Sequence, residues 1–155
     1  MTHEKRLAEL GITLPEVAAP VAAYVPAVQT GRYIYTSGQL PFVDGALPAT
    51  GKVGDGAGLV SPDDAAAYAR TCALNALAAV RSVTGSLDTI SRIVKVVGFV
   101  ASDPSFTGQP AVINGASTVL GEIFGDAGIH ARSAVGVAVL PLDSPVELEL
   151  VVELA

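Results

Sequence analysis

The chain has 155 residues, of which 50% are hydrophobic and 15% charged, and its net charge is −6. This composition excludes a disordered chain and suits one folded domain with a substantial core. Nucleic-acid binding by charge is disfavoured, because the nine Lys and Arg residues are scattered instead of clustered. The apolar excess indicates that part of the surface is buried between subunits.

Neither a targeting segment nor a membrane span is predicted. The start, MTHEKRLAEL, has no apolar stretch of signal-peptide length, and no run of about 18 uncharged apolar residues occurs. The single cysteine, Cys72, cannot form an intrachain disulfide, which suits a reducing compartment. We therefore expect a soluble, cytoplasmic protein.

Residues 1–19 are predicted to form an N-terminal extension that consists of a helix and a linker. Residues 20–155 are predicted to form the main domain. Thr2 is a suitable N-cap for a polar helix that ends before Gly11. Two prolines favour a linker over residues 14–23.

A hairpin and a long loop follow the linker. Strands predicted over residues 23–29 and 33–37 flank the connection TGR, a short glycine-containing loop typical of a β-hairpin. Residues 41–60 are rich in glycine and proline and predict a long surface loop.

The first long helix has clear boundaries. Ser61 is a good N-cap, Pro62 suits the first helical position, and Gly85 is the expected stop after a helix that runs to about residue 83. Apolar side chains at helical spacing should face a sheet: Leu74, Leu77 and Val80.

The remaining chain predicts a strand over residues 93–101, a helix over residues 110–124 and two final strands. These last strands, over 133–141 and 146–154, are expected to form a hairpin that turns at 142–144. In that register Glu147 lies opposite Val139. Arg132 comes seven residues before Val139, which is roughly 23 Å away at the rise of an extended strand. A site that uses both residues would then take them from neighbouring subunits.

The predicted order is β-β-α-β-α-β-β, an α+β fold. Right-handed crossovers place both helices on one face of a mixed sheet. The other face is then either solvated or covered by another subunit.

Several apparent motifs lack the spacing or the residues that their chemistry requires. The sequence GALPATGK at residues 45–52 has five residues between its glycines, and Val53 replaces the Ser or Thr that a phosphate loop needs for magnesium. His3 and His130 are the only histidines, and no zinc ligand set is visible. Cys72 is interpreted as a small buried side chain. We expect neither a metal nor a cofactor.

Three other segments carry a more specific pattern. The first combines Tyr24-Val25 with the run YTSGQLP at residues 35–41, and the second is Asn114 near the start of the second helix. The third is ARSAV at residues 131–135, followed by LP at 140–141 and VELE at 146–149. Together they resemble the RidA family, also called YjgF or endoribonuclease L-PSP, over residues 20–152.

The chain departs from the typical family pattern in three places. Its N-terminal segment and its 41–60 loop are longer, and Ala134 stands where many deaminating members carry Cys. The chain therefore resembles a longer branch of the family.

The resemblance implies a chorismate-mutase-like fold and a homotrimer with three clefts between subunits. It also implies hydrolysis of reactive enamines and imines, derived from amino acids, to 2-keto acids and ammonia. An older family label describes a ribonuclease that inhibits translation. A non-catalytic trimer that binds small carboxylates is the main alternative, and RNA cleavage is the third.

Roles for individual residues also come from the resemblance. Arg132 would grip the substrate carboxylate, Glu147 would hold or deprotonate the attacking water, and Tyr24 would close the cleft. Without the resemblance, Arg132 would be interpreted as a surface arginine. Glu147 would be interpreted as part of a solvated strand face, and Tyr24 as a half-buried aromatic residue of a strand.

The other candidate site residues have weaker patterns. Ser37 and Gly38 would approach the ligand through a hydroxyl and a backbone N–H, or simply end a strand. Asn114 would bond the ligand or cap its helix. Ala134 could offer only its backbone groups.

Overall fold

The computed structural model describes residues 2–17 and 23–155, and its elements follow the predicted order. The part of the predicted linker at 18–22 lies outside the described residues. The helices and strands are α1 (His3–Glu9), β1 (Ala27–Thr30), β2 (Tyr33–Thr36), α2 (Pro62–Thr84), β3 (Ile90–Ala101), α3 (Gln109–Phe124), β4 (Ala131–Val137) and β5 (Val146–Leu154).

The predicted helix boundaries are confirmed because the capping residues act as expected. The Ser61 side chain accepts a hydrogen bond from the backbone N–H of Asp64 at the start of α2. Gly85 ends that helix in the left-handed conformation, with φ of 79°. In α1, the Thr2 side chain accepts from the N–H of Lys5.

The sheet has five strands in the order β1-β2-β5-β3-β4. Strands β3 and β4 are parallel, and the other neighbours are antiparallel. The first hairpin is confirmed, with Thr30 paired to Tyr33 across a tight turn. Its first strand begins at Ala27, four residues later than predicted, so Tyr24 precedes the sheet.

The predicted final hairpin is wrong. Strand β4 pairs only with β3, and β5 lies on the other side of β3, between β3 and β2. The connection crosses the end of β3, where Ser102 N–H donates to Val137 O and Ala101 N–H donates to Pro145 O. Strand β3 is apolar and long, so it gains hydrogen-bonded partners on both edges, which a local β4–β5 hairpin would not provide.

Helices α2 and α3 pack on the same face of the sheet, as predicted. Alternate side chains of β5 are buried against them, and the neighbouring Gly98 of β3 is so close to α3 that a Cβ there would meet Ile113. The alanine-rich face of α2 contributes to this core, together with Leu77, Val80 and Cys72. Leu74, also predicted to face the sheet, is only partly buried.

The opposite sheet face carries exposed apolar side chains that nothing in the described chain covers. Val28, Tyr33, Tyr35 and Val135 are 53%, 41%, 49% and 43% exposed. Their alternation with buried residues is what a one-sided sheet produces.

The 41–60 segment is held to the body of the protein, so the expectation of a purely surface loop is wrong at Val53. This residue is fully buried and exchanges backbone hydrogen bonds with the end of β3, through Ala101 O and Asp103 N–H. Asn75 of α2 donates to Leu40 O and Phe42 O at the start of the loop.

The N-terminal helix α1 packs against α3 and the segment after α2. Leu7 is buried in the common core, and the Arg6 side chain donates to Glu122 O. In the part of the chain that the structure describes, no helix is long and apolar enough to cross a membrane.

Candidate functional site

Arg132 lies on the edge strand β4 and points toward α3. Its Nη1 donates to Asn114 Oδ1 at 2.8 Å and to Ser117 Oγ at 3.1 Å. Its register partner on β3 is Val96, which is fully buried beneath the helices. Its Nε and Nη2 donors bond no residue that the structure describes, which leaves one edge of the guanidinium available to a ligand.

Asn114 and Ser117 share one face of α3 because they are three residues apart. Ser117 continues into a further contact, since its Oγ lies 2.9 Å from His130 Nε2. The His130 Nδ1 atom in turn lies 2.6 Å from Gly128 O. Ser117 is not among the candidates predicted from the sequence, and His130 is considered there only as a zinc ligand. Ser117 comes three residues after Asn114 and His130 two residues before Arg132, spacings that favour a shared face in a helix and in an extended segment.

Glu147 forms the centre of a second group of residues, on β5. No described residue hydrogen-bonds or ion-pairs its carboxylate. Burial and, less strongly, the charge of Glu149 raise its pKa above the ordinary glutamate value. A carboxylate held at a raised pKa without a cationic partner is suited to accept a proton.

Gly38 lies directly against the Glu147 side chain. A Cβ at position 38 would overlap the carboxylate, so a larger residue here would force the Glu147 side chain to move. The register explains the approach: Tyr35 pairs with Val151, whereas Gln39 bridges Leu148, so the segment that continues β2 contains one extra residue near Ser37–Gly38.

Ser37 uses its polar groups locally. Its hydroxyl donates to Val25 O at 2.6 Å and its N–H donates to Pro26 O. These bonds tie the segment before β1 to the end of β2. They place the exposed Tyr24 one residue from a fixed carbonyl, with 59% of its surface accessible.

Ala134 is partly buried and pairs with Gly98 on the helix side of β4. It lies two residues from Arg132 and therefore on the same face of the strand. The Cys72 thiol is fully buried on α2, and its pKa is raised by burial and then by the Glu147 charge. This confirms the interpretation of Cys72 as a small core side chain.

Within one chain, the predicted site residues form two groups on opposite faces of the sheet. Arg132, Asn114 and Ala134 lie on the helix side of β4, whereas Gly38 and Glu147 lie on the uncovered side near β2 and β5. The expected separation of Arg132 from Glu147 used the wrong hairpin register. With Arg132 level with Val96 and Glu147 level with Phe99, their Cα atoms are about 14 Å apart at ordinary strand spacings.

The architecture defines an α+β protein with a YjgF/chorismate-mutase-like fold: a mixed sheet with its main helices on one face. The profile of the family described as "YjgF/chorismate_mutase-like, putative endoribonuclease" matches residues 4–154. The chain belongs to this family, which confirms the resemblance seen in its sequence.

Individual relatives agree with this assignment. Protein TCP17 of Trypanosoma cruzi is 46% identical over 149 residues, which cover 96% of this chain and 91% of that protein. The crystal structure of Atu1372 from Agrobacterium tumefaciens, a protein of unknown function, is 43% identical with a TM-score of 0.88, and the match covers 99% of this chain and 92% of that one. Escherichia coli TdcF with bound serine is 26% identical, with a TM-score of 0.65 over 92% and 96% of the two chains.

Proposed function

We propose that the protein is an imine/enamine deaminase that hydrolyses 2-imino acids, derived from amino acids, to 2-keto acids and ammonia. The observation that carries the proposal is Arg132, whose guanidinium is held through Nη1 while Nε and Nη2 bond no described residue. Such a free edge matches the two oxygens of a carboxylate. The relative TdcF binds serine, an amino acid with the same carboxylate group.

The proposed reaction needs a water, a base and an anchored substrate. Glu147 takes a proton from water, and the oxygen adds to the imine carbon while the nitrogen takes up a proton. The carbinolamine nitrogen then takes a second proton, which protonated Glu147 gives up, and the C–N bond pair leaves with it as ammonia. The hydroxyl proton passes to the regenerated Glu147 carboxylate or to solvent as the C=O bond of the keto acid forms. The raised pKa of Glu147 favours both directions of this proton transfer.

The site is proposed to be completed in a homotrimer, with Arg132 from one subunit and Glu147 from its neighbour. Two observations support this. Arg132 and Glu147 project from opposite sheet faces, and the face that carries Glu147 also exposes Tyr33, Tyr35 and Val135. Burial of such a face between copies of the chain is favourable at about 25 cal/mol per Å² of apolar area.

Tyr24, Ser37, Gly38, Asn114 and Ala134 keep supporting roles in this proposal. Tyr24 is exposed enough to cover a bound ligand, and Gly38 positions the Glu147 carboxylate. Asn114 holds Arg132 instead of capping α3, because its Oδ1 accepts from Nη1 and the α3 N-terminus has no side-chain cap. Ser37 orders the Tyr24 segment, and Ala134 offers its backbone groups beside Arg132.

The test supplies 2-iminopropanoate, generated in place by an amino-acid oxidase, and follows pyruvate and ammonia release. We expect acceleration by the wild type, a loss of at least about tenfold in Arg132→Ala, and full activity in Lys5→Ala, where an exposed cation of α1 is removed. Absence of acceleration for several side chains would contradict the deaminase proposal.

A second candidate function, carboxylate binding without turnover, is favoured by one observation: Ala134 supplies no side-chain nucleophile or acid beside Arg132. Calorimetry with pyruvate separates the two, since binding that depends on Arg132 without imine hydrolysis supports this candidate. The endoribonuclease in the family description remains third, because the net charge of −6 disfavours an RNA groove.

A further inference from the structure

A chain of hydrogen bonds links Arg132 to the backbone behind it. Arg132 Nη1 donates to Ser117 Oγ at 3.1 Å, Ser117 Oγ lies 2.9 Å from His130 Nε2, and His130 Nδ1 lies 2.6 Å from Gly128 O. All three side chains are partly buried.

The protons in this chain can be assigned from its two ends. A carbonyl oxygen only accepts, so Nδ1 of His130 carries the proton that is donated to Gly128 O. In the neutral ring Nε2 is then an acceptor, and the Ser117 hydroxyl donates to it. The Ser117 oxygen then accepts from the Arg132 guanidinium, so each contact in the chain has one donor and one acceptor.

The arrangement restrains the guanidinium from one side only. Nη1 donates to both Asn114 Oδ1 and Ser117 Oγ, which lie on one face of α3, while Nε and Nη2 bond no described residue. An arginine side chain has several rotatable bonds, and holding one nitrogen at two points reduces the conformational entropy lost when a ligand binds.

We propose that Ser117 and His130 are positioning residues that hold Arg132 in its carboxylate-binding orientation. This inference rests on the proposed function, because it takes Arg132 as the carboxylate anchor. Neither residue touches the substrate. His130 orients the Ser117 hydroxyl, and the Ser117 oxygen accepts from Arg132.

The experiment measures pyruvate affinity by calorimetry and KM and kcat with 2-iminopropanoate for Ser117→Ala, Ser117→Thr and His130→Phe. We expect Ser117→Ala to weaken pyruvate binding about tenfold, the size expected for one hydrogen bond to a charged group. The KM should rise by a similar factor with little change in kcat. Ser117→Thr, which keeps the hydroxyl, should stay within about threefold of wild type, and His130→Phe should follow Ser117→Ala.

Stability and assembly are measured on the same samples, so that a folding defect is recognised, and His130→Gln serves as the milder variant if His130→Phe does not fold. Wild-type pyruvate affinity in both Ser117→Ala and His130→Gln, with affinity lost in Arg132→Ala, would overturn the positioning role and leave the carboxylate anchor intact. If the wild type binds no pyruvate and Arg132→Ala changes nothing, the proposed function fails, and the positioning role fails with it.

Discussion

Arg132 and Glu147 project from opposite faces of one five-stranded sheet. Arg132 is level with the buried Val96 and bonds α3, whereas Glu147 is level with Phe99 and follows the buried Val146. Because side chains alternate along a strand, no rotamer change brings these two groups together in one chain. A site that contains both therefore requires two copies of the protein.

Replacing Arg132 with Lys should weaken pyruvate binding roughly tenfold or more, although the charge is retained. Lysine offers a point charge in place of a planar fork and cannot bond Asn114 and a carboxylate in the same geometry. Calorimetry measures the effect, with Lys5→Ala as the control. Equal affinity in Arg132→Lys would show that charge alone holds the ligand.

Gly38→Ala should reduce turnover and cost about 0.5–1.5 kcal/mol of stability, because the new methyl group would force the flexible Glu147 side chain out of its position. Gly121→Ala in α3 is the matched control. Nothing lies within 4 Å of a Cβ there, so a gain of about 0.5–1 kcal/mol is expected.

Denaturant melts measure both substitutions, and the double variant Gly38→Ala/Glu147→Ala tests the cause. Removal of the carboxylate should recover much of the lost stability, since the two residues are in contact. Strictly additive losses would mean that Gly38 is needed for another reason.

Glu147→Gln should change how stability depends on pH. The folded state raises the pKa of Glu147 through burial and Glu149, so the folded chain binds this proton more tightly than the unfolded chain does. The stabilisation of the fold that comes from protonated Glu147 is therefore fully present below the unfolded pKa of about 4.3. It is lost as pH rises through the pKa of the folded state.

The uncharged side chain of Glu147→Gln does not titrate, so the variant keeps its stability over this pH range. Relative to wild type, Glu147→Gln should therefore gain stability between about pH 4 and pH 7 in melts at both values. The same difference between variant and wild type at the two pH values would contradict the raised pKa.

Val135→Lys should weaken the proposed trimer, because it places a charge on the uncovered sheet face beside Phe99. Light scattering should give about three times 15.6 kDa for wild type and a lower mass for the variant at micromolar concentration. Val83→Lys, at a similarly exposed valine of α2, should leave the mass unchanged. A wild-type monomer with full ligand binding would refute shared sites.

The amino-acid sequence was sufficient wherever local chemistry decides the structure. Ser61 and Gly85 bound α2 as predicted, because a side-chain cap and a left-handed glycine act within one helical turn. In β5, apolar residues alternate with mostly acidic ones, and the strand buries the apolar positions on one face, as its sequence pattern alone indicates. The motif around Ser37 and Gly38 and the ARSAV segment identified the family.

Only the tertiary structure decided which strands are neighbours. Adjacency along the chain suggested a β4–β5 hairpin, yet β5 pairs with β3 and β2, because hydrogen bonding and burial are satisfied by strands that are distant in sequence. For the same reason the Ser117–His130 contact and the closeness of Gly38 to Glu147 were not predictable. Both depend on how separate elements approach in space, and residue spacing within one element carries no information about that distance.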